Sequence, residues 1–169
     1  SRGLGDVYKR QDKKVLQEFA TRVTQANPSE LVVVIYEAAI ASMKEGKKAL
    51  CDQKIEEARK ELERARGMLD ELMRSLDMQY SISHYLRQLY IFAYRELCQS
   101  VALRQPERVD HAMDILEQLL PSFKEVAKQD DREAVMQNVQ SIYAGLTYGP
   151  GSLNETTAMG NGTNRGFEA

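Results

Sequence analysis

The chain has 169 residues, of which 43% are apolar and 28% are charged, and its formal net charge is −2 at pH 7. These values are typical of one ordinary globular domain, and they argue against disorder throughout and against a basic surface for nucleic acid. The sequence has no bilayer-spanning apolar run and no secretion signal, and Cys51 and Cys98 lack metal or redox spacing, so it predicts a cytoplasmic protein without membrane insertion.

The N-terminal region divides into two parts. Residues 1–11, SRGLGDVYKRQ, resemble the in-frame translation of a sequencing-library adapter, and we interpret them as a non-native segment to be left out of fold reasoning. Between residues 12 and 26 the apolar side chains follow helical spacing and predict a short or frayed helix; they are Val15, Leu16, Phe19 and Val23.

A long helix is predicted at about 28–50, because Asn27 suits the N-cap, Pro28 the first helical position and Glu30 the third. The eleven residues 31–41 contain one charge, so apolar groups cover every face of this helix. We assign one stripe to the bundle interior, namely Leu31, Ile35, Ala38 and Ser42. A second apolar stripe would then lie outside the bundle interior and would have to be buried by another segment or a partner. It consists of Val32, Tyr36, Ala39, Ile40 and Met43.

Three more helices follow at about 53–76, 82–104 and from 106 onward, each with apolar residues three and four apart. The core stripe assigned to the third long helix is Ile82, Leu86, Leu89, Ala93 and Leu97. Pro121 lies inside the fourth pattern and is expected to kink or divide that helix. Asp130 or Asp131 is a candidate cap for a last helix that ends near Gly145.

These elements predict an all-α fold, an antiparallel up-and-down four-helix bundle with an extra short helix and a flexible C-terminal tail. The bundle domain is expected at residues 12–145. The tail, residues 146–169, is rich in glycine, asparagine and threonine and offers few apolar anchors to offset the entropy of ordering it.

Residues for chemistry are sparse. His84 and His111 have no glutamate three positions before them, and neither histidine has the short ligand spacing of a zinc site. The tail glycines lack the lysine and helix of a phosphate loop. We therefore expect no catalytic residue, no metal and no cofactor, and a helical enzyme is the weakest of the readings considered.

The apolar surface is larger than one four-helix core can enclose. Beyond its core stripe the third long helix also carries Tyr90, Ile91, Phe92 and Tyr94. Three explanations stay open: the N-terminal segment and last helix cover this surface, it is a groove for an amphipathic partner helix, or it is the seam of a homodimer that acts as a structural or adaptor protein. The first two are compatible with each other.

Three segments resemble one family. Residues 26–39, with ANPSEL and IYEAA, are similar to the S-P-E-E-L and L-Y-D-G-A start of FliS flagellar chaperones. Residues 72–77, LMRSLD, resemble the family's E-L-x-x-x-L-D, and residues 82–97 resemble its I-x-x-x-L-x-x-L-Y-x-Y-x-x-R-x-L helix. The resemblance spans about residues 23–128.

The resemblance implies a cytosolic chaperone without catalytic activity, which holds the C-terminal segment of unpolymerised flagellin, prevents premature assembly and delivers it to the flagellar type III export apparatus. The export gate and a regulatory factor are further partners of this kind. Together with the apolar strip, it implies client-binding or groove-supporting residues at Val23, Leu31, Ile35, Tyr36, Leu86, Tyr90 and Tyr94. On this basis Tyr90→Glu is predicted to weaken client binding while preserving helix content.

Overall fold

The computed structural model describes residues 2–135, with side chains from residue 13 onward. Five helices lie in this range: α1 (Arg2–Gln25), α2 (Pro28–Cys51), α3 (Ile55–Arg74), α4 (Ser81–Leu103) and α5 (Glu107–Gln129). No strand occurs between residues 2 and 135. The predicted all-α fold with four long helices and an extra one is confirmed, and the predicted limits of α2, α3 and α4 lie within two residues of those observed.

The extra helix differs from its prediction in length. α1 is one helix of 24 residues rather than a short or frayed one, and it includes most of the segment interpreted as adapter-derived. Residues 27–132 form one compact unit, here called the bundle unit, whereas α1 belongs to a second unit. The domain limits 12–145 and the non-native origin of residues 1–11 stay predictions.

The predicted last helix does not begin at Asp130 or Asp131, because residues 131–134 are not helical. Asp130 instead bonds back to the start of α2, as described below, and so is not available as a helix cap. The rest of that helix and the predicted flexible tail lie outside the described residues.

The bundle unit is a ring of four helices. α2 packs against α3 and α5, and α4 packs against the same two helices. Since the links at 52–54, 75–80 and 104–106 are short, consecutive helices must run in opposite directions. Gln53 and Arg104 have φ values of 60° and 54°, a left-handed conformation that ends a helix and reverses the chain within a few residues.

The core fills the centre of this ring. Its largest fully buried side chains are Tyr36, Met43, Leu62, Leu69, Leu72, Tyr90, Leu97, Val109 and Leu116. The ring of Tyr36 meets Tyr90 edge to face with centroids 6.2 Å apart, and it lies 4.9 Å from the ring of Phe123. The core therefore has an aromatic cluster contributed by α2, α4 and α5.

The stripe of α2 that packs inside is not the one assigned to the interior. Tyr36, Ala39 and Met43, placed on the second stripe, are fully buried. Of the residues assigned inward only Ser42 is buried, and the partly buried ones are Leu31, Ile35 and Ala38. The assignment is wrong because all faces of this part of α2 are apolar, so helical periodicity cannot distinguish the buried stripe from the other one.

The core stripe of α4 is also shifted. Ile82, expected in the core, is 60% exposed, whereas Tyr90, expected outside the core stripe, is buried. The stripe that packs inside consists of Ser83, Leu86, Tyr90, Ala93, Leu97 and Ser100. Its three- and four-residue steps start at Ser83, so Ile82 lies one position outside the stripe.

Pro121 does not divide α5, which runs unbroken from Glu107 to Gln129. Proline lacks the N–H that would bond to the carbonyl of Glu117 one turn earlier. Both residues are exposed, so water can satisfy that carbonyl. Leu116 is buried on one side of the proline, and Leu120 and Phe123 pack against the core near it, which keeps the helix in place.

The predicted capping box at the start of α2 is confirmed. The side chain of Asn27 accepts from the backbone N–H of Glu30 at 2.8 Å, and the Glu30 carboxylate accepts from the N–H of Asn27 at 3.1 Å. Two of the free amide groups of the helix start are thereby satisfied.

The same end of α2 is tied to the end of α5 by a set of bonds here called the latch. Asn27 Nδ2 donates to the carbonyl oxygen of Asp130 at 3.0 Å, and the Ser29 hydroxyl donates to the Asp130 carboxylate. Arg132 donates to that carboxylate through Nε at 2.8 Å and Nη2 at 2.6 Å. The bonds from Arg132, followed by that from Ser29, hold the pKa of Asp130 well below its usual range.

The latch predicts a specific loss of stability in acid. Because the pKa of Asp130 is lower in the folded than in the unfolded chain, its contribution is present above the unfolded value, near 4, and declines as pH falls below it. Urea unfolding between pH 2 and 5 should therefore show a steeper pH dependence for wild type than for Asp130→Asn. Asp131→Asn, which removes an adjacent exposed carboxylate, is the control and should follow wild type. Equal slopes for wild type and Asp130→Asn would contradict the prediction.

Candidate functional site

A groove runs between α3 and α4. It consists of two adjoining recesses of about 530 and 390 Å³ that share Asp70 and Met73. We call it the α3–α4 groove, and its lining residues are Asp70, Met73 and Arg74 of α3 and Arg87, Ile91, Tyr94, Arg95, Cys98 and Gln99 of α4. The helical period places positions 87, 91, 94 and 98 on one side of α4, next to its core stripe.

The floor of the groove is apolar. Met73, Ile91 and Tyr94 are each partly buried, and Met73 and Tyr94 pack against the core. Part of each of these apolar side chains therefore remains exposed in the groove. A floor of this kind suits the apolar face of a bound helix.

Arg66 of α3 contacts two of the lining residues, Tyr94 and Cys98. Its guanidinium carbon lies 5.6 Å from the centroid of the Tyr94 ring, and its Nη1 donates to Sγ of Cys98 at 3.2 Å. Its Nη2 also lies 3.6 Å from Oε1 of Glu63. These contacts hold the guanidinium over the aromatic ring, a cation–π arrangement that fixes the position of both side chains.

The predicted site residues separate into three groups. Tyr94 lines the groove. Tyr36, Tyr90 and Leu86 belong to the core, with exposed fractions of 0%, 1% and 8%, so they can support the groove from beneath but do not form its surface. The remaining three are partly buried outside the groove: Leu31 and Ile35 on α2, and Val23 on α1 in the other unit.

The two core tyrosines form a hydrogen bond between their hydroxyl groups. Burial raises the pKa of Tyr36 and of Tyr90 above the usual value for a phenol. Both phenols are therefore neutral near pH 7, where they form a polar pair inside an apolar core.

The sequence reasoning missed most of the groove. Ile91 was noted only as surplus apolar surface and Arg66 only as part of a solvated helix surface. Met73, Arg87 and Arg95 were not proposed as site residues. The sequence does contain a signal for the α4 side of the groove. Beside the core stripe lies a second set of positions at helical spacing, namely 87, 91, 94 or 95, and 98. Reading that second stripe as one side of a groove required knowing that α3 lies next to it.

A second apolar surface lies on the other flank of α4, here called the α4–α5 face. It consists of Ile82, Tyr85, Leu89 and Phe92 of α4 and Ile115, Leu119 and Val126 of α5. Four of these side chains are largely exposed: Ile82 by 60%, Tyr85 by 58%, Phe92 by 48% and Val126 by 55%. The α4 residues follow steps of three and four, and the α5 residues follow steps of four and seven, so each set lies on one side of its helix.

A buried carboxylate joins the two helices of this face. Glu96 is only 6% exposed, and its oxygens lie 3.0 Å from Nη1 of Arg108 and 2.7 Å from Nδ1 of His111. These contacts set residue 96 opposite residue 111. In antiparallel helices that register brings Phe92 level with Ile115.

Within residues 2–135, no group of three or more histidine, cysteine or acidic side chains is placed to hold a metal ion. His84 and His111 are both exposed, and Nε2 of His84 lies 3.0 Å from the carbonyl oxygen of Met78. In the described part of the chain no helix is long and apolar enough to cross a membrane.

The chain is similar to a known protein family. The family model described as "Flagellar protein FliS" matches residues 11–130, which include α2 to α5 and more than half of α1. Among curated proteins, none matches the chain significantly.

Proposed function

Because this chain belongs to the FliS family of flagellar export chaperones, we propose that it binds the C-terminal segment of unpolymerised flagellin in the bacterial cytosol. By holding that segment it prevents premature assembly, and it then delivers the subunit to the flagellar type III export apparatus. The export gate and a regulatory factor are further proposed partners. The family is one of chaperones and not of enzymes.

The observation that carries this proposal is the apolar floor of the α3–α4 groove. Met73, Ile91 and Tyr94 are available to a partner, and an apolar groove between two helices is a common binding site for an amphipathic helix. A client segment that is disordered when free would fold on binding, so burial of its apolar face must offset the entropy of ordering it.

The predicted client-binding residues then have different roles. Tyr94 is proposed to touch the client directly. Tyr36, Leu86 and Tyr90 are proposed to support the groove from the core. Val23, Leu31 and Ile35 remain predicted contacts for other parts of a long client segment, outside the groove.

We expect Ile91→Glu to weaken binding of a flagellin C-terminal peptide by at least about tenfold, since a charge on the floor must be desolvated when an apolar face covers it. Calorimetric titration with a peptide from the same source measures this, and wild type should bind one to one with a negative heat-capacity change. Phe92→Glu is the matched control, because it places the same charge at the next residue of α4 but outside the groove.

Phe92→Glu should bind the peptide within about twofold of wild type, and circular dichroism should show unchanged helix content for both variants. Unchanged affinity for Ile91→Glu, or equal weakening by the two variants, would place the client elsewhere.

A second candidate function is that of a homodimer acting as a structural or adaptor protein, and the exposed α4–α5 face favours it. Sedimentation over a range of concentrations separates the two candidates. A dimer at every concentration that dissociates in Phe92→Glu, together with no peptide binding by wild type, would support the homodimer.

A further inference from the structure

The α3–α4 groove is bordered by arginines on both sides. Arg74 of α3 and Arg87 and Arg95 of α4 line it, and Arg66 of α3 contacts its lining residues Tyr94 and Cys98. Asp70 is the only acidic side chain among the lining residues that the structure describes. The chain as a whole has a net charge of −2, so this positive border is a local feature of the groove.

The four arginines are not equally engaged. Arg66 is held by Tyr94, Cys98 and Glu63, as described above. Arg74 lies 3.3 Å from the Glu71 carboxylate in an exposed ion pair, which contributes little stability and is easily exchanged.

Arg87 and Arg95 are both exposed, and neither has a hydrogen bond or ion pair among the described residues. The only carboxylate on α4 is Glu96, which faces α5 and lies there against Arg108 and His111. No acid on α4 therefore offsets these two charges.

The spacing of Arg87 and Arg95 determines how far apart two acidic groups on a bound helix should lie. Positions 87 and 95 are eight residues apart, which corresponds to about 12 Å along α4. Carboxylates seven or eight residues apart on a client helix that lies along the groove would be separated by nearly the same distance. A guanidinium can donate two parallel hydrogen bonds to a carboxylate, so each arginine can recognise one such group.

We propose that the α3–α4 groove selects a client helix whose apolar face is flanked by carboxylates about two turns apart, with Arg87 and Arg95 as the specificity-determining residues. This inference rests on the proposed function, since it concerns the same groove and the same flagellin segment. The apolar floor supplies affinity for any amphipathic helix, and the arginine border distinguishes an acidic one from the rest.

The test uses the full chain and two synthetic peptides: the flagellin C-terminal segment, and the same segment with its carboxylates replaced by amides. Each is titrated at about 50 and 300 mM salt, because ion pairs at an exposed border are screened by salt whereas apolar contacts are not. The variant is Arg87→Glu with Arg95→Glu. The control is Lys48→Glu with Arg64→Glu, which changes net charge equally at exposed positions of α2 and α3 outside the groove.

We expect the acidic peptide to bind wild type at least tenfold more tightly than the amide peptide at low salt, and to lose most of that advantage at high salt. The groove variant should lose at least tenfold in affinity for the acidic peptide, and the control variant less than twofold. A third peptide, with lysines in place of the carboxylates, should bind the groove variant more tightly than it binds wild type.

The outcomes separate the two proposals. Binding of the acidic and amide peptides with equal affinity and no salt dependence overturns the arginine selection and leaves the proposed function intact. Equal losses in the groove and control variants likewise overturn it, since they would show an effect of net charge alone. Failure of every peptide to bind folded wild type overturns the proposed function and this inference together.

Discussion

Replacing Tyr90 by glutamate is expected to unfold the bundle. Tyr90 is 1% exposed, its ring packs edge to face on Tyr36, and its hydroxyl bonds to the hydroxyl of that residue. A glutamate there would lose the aromatic packing, at about 3–5 kcal/mol, and would bury an unpaired carboxylate at a cost of several kcal/mol more. That sum is comparable with the total stability of an ordinary domain, about 5–15 kcal/mol.

Far-UV circular dichroism and thermal melting check this directly, with Phe92→Glu as the control that carries the same charge on the surface of the same helix. Tyr90→Glu should lose most of its helical signal and its cooperative transition, and the control should keep both. An unchanged melting curve for Tyr90→Glu would contradict the position of this residue in the core. The sequence analysis expected this variant to preserve helix content because it placed Tyr90 outside the core stripe, whereas the structure buries this residue.

Smaller changes at the same pair isolate the hydrogen bond. Tyr36→Phe or Tyr90→Phe alone leaves one buried hydroxyl without its partner, at a cost of about 1–3 kcal/mol. The double replacement removes both hydroxyls and leaves none unsatisfied. Its cost should therefore be smaller than the sum of the two single costs.

Adding one methyl group at Gly46 is expected to destabilise the bundle, whereas the same addition at Gly67 is expected to stabilise it. A Cβ at Gly46 would lie 2.6 Å from Cγ and Cδ2 of Leu62, a side chain that is itself fully buried between α2 and α3. A Cβ at Gly67, on the exposed side of α3, would meet nothing within 4 Å.

Alanine gains about 1 kcal/mol over glycine in helix propensity at both positions. At Gly46, overpacking of about 1–3 kcal/mol outweighs this gain, so Gly46→Ala should melt below wild type. Gly67→Ala should melt above wild type, and the two variants should differ by roughly 10 °C in Tm for a unit of this size. Equal melting temperatures would show that α2 and α3 do not approach as closely at Gly46 as described.

The sequence predicted the position of each long helix because local chemistry determines where a helix begins and ends. Asn27, Pro28 and Glu30 satisfy the amide groups at the start of α2 through contacts within four residues. The apolar residues of α3 that follow steps of three and four include Ala58, Leu62, Ala65, Leu69 and Leu72, and these are the buried ones. Periodicity identified this inner face because the other faces of α3 are charged. Such features need no knowledge of neighbouring helices.

The inner face of α2 could not be predicted in this way. Tyr36 is buried and Ile35 only partly so, and nothing in their local sequence distinguishes the two, because all faces of this segment are apolar. Which face of α2 is buried depends on which face contacts Tyr90 and Phe123, and these contacts exist only once the four helices have assembled. The α3–α4 groove is a tertiary property as well, since it exists only where α3 and α4 leave a gap.

The latch has a consequence for the kinetics of folding. Its bonds join residues 101 and 103 positions apart in the chain, whereas the contacts between consecutive helices close far shorter loops. Closing the longest loop costs the most chain entropy, so the latch should form after the helix pairs have docked and after the rate-limiting step. An interaction absent from the transition state changes the unfolding rate and hardly the folding rate. Asp130 and Ser29 thus contribute chiefly to how long the folded bundle persists, and little to how fast it forms.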